Sequence, residues 1–266
     1  MPENVFNQLK NLELYKNAKT AIVTDVDGTL SEIVPKPDNA LIDSEMREIL
    51  KLFENKFKLM VFISGRTIEN VRKMVDIPGA LYIGNHGMEY QKDGKIELDP
   101  DALQYKTEIG EIEKNLRKKL NLPGVILENK KTGLTVHYRL NEHQEMARIS
   151  ILNEISQLDI SKGLMISEGK KIIEIKPQIA NNKGTIIRRI VDDYKIDQMI
   201  YCGDDTTDID AFNAIKSLNR KPSFKGASIV VLSKETSVNV VDSAQFYVNS
   251  IPVLKSFLYW LLDKNY

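Results

Sequence analysis

The sequence predicts an α/β protein: a largely parallel sheet covered by helices, interrupted by an inserted α+β domain. Three observations predict it. Short apolar runs alternate with helical patterns at both ends of the chain, the pattern of strand–helix–strand units. The middle reads instead as helix, hairpin, helix, hairpin. Two of the apolar runs, far apart in the chain, stop abruptly in clusters of aspartates.

The first strand is Lys19–Thr24. A helix over about 43–55 follows, with Met46, Ile49, Leu50 and Phe53 on one face. The next strand is Lys58–Ile63, and a helix covers about 67–75. The middle opens with a helix over about 105–120, where Ile109, Ile112, Leu116 and Leu120 recur at helical spacing. Strands Val125–Glu128 and Leu134–Arg139 form its first hairpin. In the second of these, Leu134, Val136 and Tyr138 alternate with Thr135, His137 and Arg139, so one face is wetter. A helix over about 142–158 leads to the second hairpin, Leu164–Ser167 and Lys171–Lys176. After Pro177 the alternation returns: a helix from Lys183, a strand Gln198–Cys202, a helix after Asp208, strands Ser228–Leu232 and Gln245–Val248, and a terminal helix over about 251–262. The predicted domains are a core of residues 1–87 and 177–266, and an insertion of residues 88–176.

Composition narrows the function classes. The 266 residues are 42% hydrophobic and 28% charged, and Lys plus Arg equals Asp plus Glu at 37 each. A balanced chain carries no global field for nucleic acid or anionic membrane, so any anion site is built locally. The single cysteine, Cys202, cannot form an intramolecular disulfide; between Tyr201 and Gly203 in an apolar strand it reads as a buried apolar residue. No run resembles a signal peptide or a membrane span, so the expectation is a cytoplasmic protein without nucleic-acid or membrane partners.

The chemistry sits at the strand ends. The first strand runs into Asp25-Val26-Asp27-Gly28-Thr29. Side chains two apart in extended chain point the same way, and ligands of open α/β sheets bind beyond the carboxyl ends of the strands. The strand Gln198–Cys202 runs into Gly203-Asp204-Asp205-Thr206-Thr207-Asp208. If these strands are neighbours, the carboxylates converge, and a hard divalent cation offsets their repulsion. D-x-D-G-T alone is also compatible with a turn whose aspartates cap a helix; the second acidic strand end argues against that. Ser64-Gly65-Arg66 ends another strand and offers a hydroxyl and free N–H groups to a phosphate, although Ser64 alone is equally compatible with a helix N-cap. Asn182-Lys183-Gly184 opens a helix, where Lys183 is either a point charge for an anion or one of many solvent-facing lysines.

These segments, in this order, resemble the haloacid dehalogenase superfamily of phosphohydrolases. More closely, T-D-V-D-G-T-L, I-S-G-R, G-N-H-G, L-T-V-H-Y-R, E-I-K-P, N-K-G and G-D-D-T-T-D-I-D-A-F, spanning residues 24 to 212, are similar to the trehalose-6-phosphate phosphatase family. Ile209 stands where members often have Glu. The resemblance implies a Rossmann-like core with a C2B-type α/β cap, Mg²⁺ as cofactor, and a small sugar phosphate as substrate. It implies Asp25 as nucleophile, Asp27 as general acid and base, and Ser64 and Lys183 on the phosphate oxygens. The metal would be held by Asp25, the Asp27 backbone carbonyl and Asp204, with Asp205 beside them and Asp208 orienting bound water and Lys183. Gly65, Arg66, Asn85 and His86 would contact substrate at the core, and Glu128, Lys130, Arg139 and Glu174 would read the sugar from the cap. His137 reads as structural. Hinges are expected near Gly87-Met88 and Pro177-Gln178. Mannosyl-3-phosphoglycerate and sucrose-6-phosphate phosphatases share the chemistry and stay open as alternatives, as does a non-catalytic sugar-phosphate sensor. Many relatives are fused to trehalose-6-phosphate synthase, so functional coupling to a synthase is also expected.

Overall fold

The strands of the computed structural model, which describes residues 1–34, 39–92, 94–179 and 181–263, run in chain order as follows. They are β1 (Glu3–Asn4), β2 (Thr20–Thr24), β3 (Leu59–Ile63), β4 (Leu81–Gly84), β5 (Glu89–Lys92), β6 (Lys95–Leu98), β7 (Ile126–Asn129) and β8 (Leu134–His137). Then come β9 (Leu164–Gly169), β10 (Ile172–Pro177), β11 (Gln198–Gly203), β12 (Lys225–Val231) and β13 (Phe246–Val248). They form a nine-stranded sheet in the order β1-β13-β12-β11-β2-β3-β4-β5-β6 and a four-stranded sheet in the order β7-β8-β10-β9.

From β1 to β4 every pairing in the large sheet is parallel, and β5 adds antiparallel to β4. The alternation of each strand splits the core into two layers. Ile22, Met60, Phe62, Ile200 and Ile229 face one side, with Met46, Ile49, Leu50 and Phe53 of the helix Ser44–Lys56. Ala21, Val23, Val61, Ile63 and Met199 face the other, with Ile186 and Ile190 of the helix Lys183–Asp193 and Phe212 of the helix Asp208–Leu218. Parallel strands covered on both faces are apolar throughout, and β2 is buried at all five positions. The helices begin where side chains satisfy their first N–H groups. Asp43 accepts from Met46 N at 2.9 Å, and Thr67 caps the helix Ile68–Val75.

The smaller sheet is antiparallel throughout. Its apolar face, with Leu134, Val136, Ile173 and Ile175, packs with Ile109, Ile112 and Leu116 of the helix Lys106–Lys119 and Ile151 and Ile155 of the helix Gln144–Ser156. The chain divides into one compact unit containing 1–34, 39–96 and 181–266 and another containing 97–180. The divisions therefore fall later than the 87/88 and 176/177 boundaries expected from sequence. At the second division β10 runs on to Pro177 in the small sheet; at the first, β5 and β6 extend the large sheet. Neither they nor β4 nor β1 announces itself in the sequence: each is two to four residues long, too short for a period-2 pattern to register.

Among the described residues, no helix is long and apolar enough to cross a membrane.

Candidate active site

β2 and β11 are parallel neighbours in register, Cys202 opposite Thr24, so the two acidic strand ends meet. From β2 the chain steps to β3 on one side, and β11 lies on the other: this is the switch point where open α/β sheets bind ligands. The Asp25 amide donates to Cys202 O at 2.9 Å, which ties the ends together. Asp25, Asp204 and Asp208 are all buried, and one carboxylate oxygen from each lies within 4.8 Å of those of the other two.

Gly28 makes this approach possible. It adopts φ +84°, and a Cβ there would sit 2.2 Å from Asp204 Oδ2. The Asp204 carboxylate thus rests on bare backbone, and Thr29, fully buried, donates its hydroxyl to Asp204 Oδ1 at 3.2 Å. Lys183, 3% exposed, bridges two acids, with Nζ at 3.1 Å from Asp25 Oδ2 and 2.6 Å from Asp208 Oδ1. Burial alone pulls its pKa down, but the Asp208 and Asp25 charges outweigh that and raise it, so the ammonium stays charged. For Asp25, burial is the largest influence and pushes the pKa well up. Lys183 opposes this, and the charges of Asp208, Asp204 and Asp27 add to it.

Asp208 is already saturated. Its Oδ1 accepts from Lys183 and, at 2.5 Å, from the Tyr201 hydroxyl; its Oδ2 accepts the amides of Asp204 at 3.0 Å and Asp205 at 2.9 Å. A carboxylate has about four lone-pair sites, so Asp208 fixes Lys183 and the acidic turn and has none left for an ion. Asp205 is not drawn into the cluster: its Oδ1 accepts from Thr206 N at 2.6 Å and from the Thr206 hydroxyl.

Asp27, two residues on, is half-buried and gripped by Arg66, Nε to Oδ2 at 2.6 Å and Nη2 to Oδ1 at 2.8 Å. This fork is a contact that sequence reading did not foresee. Ser64 lies two residues beyond Phe62, the partner of Thr24. It is buried, and its hydroxyl accepts from Arg66 N at 3.1 Å. The segment after β4 braces this loop: Asn85 N donates to Arg66 O at 2.7 Å, and His86 N donates to Ser64 O at 3.1 Å. Asn85 and His86 both take left-handed φ, 49° and 56°, and the His86 ring lies against Gly65, where a Cβ would be 2.7 Å from it. Glu89, buried on β5, caps Ile68 N at 2.8 Å. Thr29, Tyr201 and Glu89 are the participants that sequence reading missed. Thr29 lies inside the D-x-D-G-T motif, and the other two carry no signal without the tertiary pairing.

In the second unit, the register aligns Glu128, Thr135 and Glu174 in one row across β7, β8 and β10. Their side chains share the face opposite Val136 and Ile173. Lys130 and Glu174, both buried, meet at 3.3 Å; Lys176 and Thr135 also reach Glu174, at 3.3 and 3.4 Å. Glu128 pairs instead with His137 at 2.9 Å, and Arg139 donates to Lys170 O at 2.7 Å. The structure joins Lys130 with Glu174 directly.

The model of the family described as trehalose-phosphatase matches residues 23–252. The chain belongs to the trehalose-phosphatase family. A relative named probable trehalose-phosphate phosphatase D, from Arabidopsis thaliana, is 31% identical over 85% of this chain and 64% of its own length. The solved C-terminal domain of trehalose-6-phosphate phosphatase from C. albicans superposes with a TM-score of 0.78 at 24% identity, covering 99% of this chain and 98% of that one. A haloacid dehalogenase-like hydrolase from Bacteroides thetaiotaomicron shares the fold with a TM-score of 0.63 at 14% identity, over 91% and 99% of the two chains. The chain spans 60 to 64% of the length of the first curated relatives of the trehalose-phosphatase family that it matches.

Proposed function

We propose that this chain is a Mg²⁺-dependent phosphohydrolase that removes phosphate from trehalose 6-phosphate through an aspartyl-phosphate at Asp25. The observation that carries this is the buried group of Asp25, Asp204, Asp208 and Lys183 at the switch point. Buried carboxylates that converge in this way repel one another, and a hard divalent cation offsets that repulsion. Oxygen donors and a nearby phosphate suit Mg²⁺. Asp25, Asp204 and the Asp27 backbone carbonyl would hold it, Asp205 and Asp208 acting from further out. When bound, Mg²⁺ supplies the positive charge that lets a carboxylate approach a phosphate.

The residues then divide the work. Asp25 attacks phosphorus, and the bond to the sugar oxygen breaks. Asp27 gives its proton to that departing oxygen, then takes one from the water that cleaves the aspartyl phosphate and restores Asp25. Such acid–base help contributes about 10²–10⁴-fold. In the present arrangement Arg66 fixes the Asp27 carboxylate in one orientation, so proton delivery requires one oxygen to leave the fork. Ser64 and Lys183 bind the non-transferred phosphate oxygens, with Gly65, Arg66, Asn85 and His86 lining the phosphate side; electrostatic positioning carries most of such catalysis. Glu128, Lys130, Arg139 and Glu174 recognise sugar hydroxyls. We place the reaction in the cytoplasm and couple it functionally to the synthase that supplies the substrate.

Phosphate release from a panel of trehalose 6-phosphate, sucrose 6-phosphate, mannosyl-3-phosphoglycerate and glucose 6-phosphate tests this reading. Trehalose 6-phosphate is expected to show the highest kcat/KM. Turnover no faster than glucose 6-phosphate removes the trehalose assignment, and no turnover of any ester with Mg²⁺ present leaves the sensor reading.

A further inference from the structure

We infer that Tyr201 is a positioning residue of this site: its hydroxyl, acting through Asp208, aims the Lys183 ammonium at Asp25. The inference rests on the phosphohydrolase reading for its catalytic consequence but not for its geometry. Tyr201 is fully buried on β11, and nothing else in the chemistry calls for a phenol there. Strand alternation turns it toward the layer that holds Lys183 and Phe212, and its ring meets Phe212 edge-on at 5.7 Å. That hydroxyl donates to Asp208 Oδ1, the same oxygen that accepts from Lys183.

The sharing of one oxygen is the device. Lys183 sits between two carboxylates, Asp208 at 2.6 Å and Asp25 at 3.1 Å. Asp208 is the nearer partner and would draw the ammonium fully to itself if its charge were unshared. The Tyr201 donor takes up part of the Oδ1 charge, and the amides of Asp204 and Asp205 take up Oδ2. Asp208 is thereby kept from rotating toward a cation, and the ammonium keeps a donor for Asp25 and for a phosphate arriving there. A phenol suits this position because it stays protonated: burial first, then the charges of Asp208 and Asp25, raise its pKa well above the usual value.

The test is Tyr201→Phe, which removes one oxygen and keeps the ring, its contact with Phe212 and the strand. Two readouts are taken: the crystal structure, and kcat and KM on trehalose 6-phosphate. The expected result is a Lys183–Asp25 separation beyond hydrogen-bond reach, and kcat about 10-fold to 100-fold lower, the range found when outer partners of a site are removed, with KM within about twofold. Phe212→Leu, which loosens the ring but keeps the hydroxyl, is expected to lower the melting temperature and leave kcat within twofold. An unchanged Lys183–Asp25 contact in Tyr201→Phe, or a kcat within twofold of wild type, overturns the inference. If the wild-type protein releases no phosphate from any ester, the phosphohydrolase reading falls, and the Lys183–Asp25 contact in the two structures still decides what Tyr201 does.

Discussion

Asp25 and Asp204 set the character of the site because the pairing of β2 with β11 brings their buried carboxylates together. Asp208 is saturated by four donors, and Lys183 gives Asp25 one contact. A raised Asp25 pKa means that the folded state holds this proton more tightly than the unfolded chain does. Its stabilising contribution is therefore complete below about pH 4 and lost as pH rises through the folded value. At neutral pH the cluster opposes folding, and a cation bound there would relieve it. Asp204→Asn is thus expected to raise the melting temperature of the metal-free protein and to abolish the rise that Mg²⁺ gives the wild type. That rise corresponds to about 2.7 kcal/mol when Mg²⁺ is present at 100 times its Kd. Scanning fluorimetry with EDTA and with Mg²⁺ reads both effects, and an undiminished Mg²⁺ shift in the variant would put the ion somewhere else. The candidate residues were legible because D-x-D-G-T and G-D-D-T-T-D stop at strand ends. The Arg66 fork on Asp27 was not legible, because Arg66 is separated from Asp27 by 39 residues and only the β2–β3 pairing brings them together.

The helix Lys183–Asp193 shows how an element delivers a charge. Asn182 accepts from Thr185 N at 2.8 Å while Thr185 Oγ1 accepts from Asn182 N at 3.0 Å, a reciprocal cap. Lys183 is the first residue after this cap, so the cap fixes where its stem leaves the backbone. Asn182→Ala is expected to cost about 1 kcal/mol of stability, read as a lower urea midpoint with an unchanged slope. The same element scale explains what the sequence hid. The helices with a buried face at positions such as Met46, Ile49, Leu50 and Phe53 declare themselves by period. The short strands β4, β5 and β6 do not, because their identity depends on pairing with β3 and with each other. The segment Asn85–Gly87, with all three residues at positive φ, is likewise shaped by its bonds to Ser64 and Arg66 and not by local preference.

Across the whole molecule, burial has raised the pKa of several groups in the large unit that are neutral at ordinary pH. Burial pushes Tyr15 and Tyr82 from 10.0 up to about 12, offset at Tyr82 in part by the hydrogen bond with Ile77. Burial, and then the Asp208 charge, push the Cys202 thiol from 9.0 up to about 12. All three bind their protons more tightly in the fold, so the stability linked to them is intact below pH 9.0 and is lost as pH rises through about 12. Urea unfolding free energies measured from pH 8 upward should fall over that window, with Cys202 unreactive to thiol reagents until unfolding. Alkylation of the native protein at pH 8 would contradict this. The two-unit organisation was legible because the period of the pattern changes where the antiparallel hairpins begin, whereas the positions of division were not, since the edge strands that extend the large sheet are half-polar.

The most direct measurement of the central claim is borohydride reduction of the protein during turnover of trehalose 6-phosphate, followed by peptide mass analysis, because an acyl phosphate on a carboxylate is reduced to an alcohol. Homoserine is expected in place of Asp25 and nowhere else. Continued phosphate release with Asp25 unmodified, or modification at another carboxylate, would contradict it.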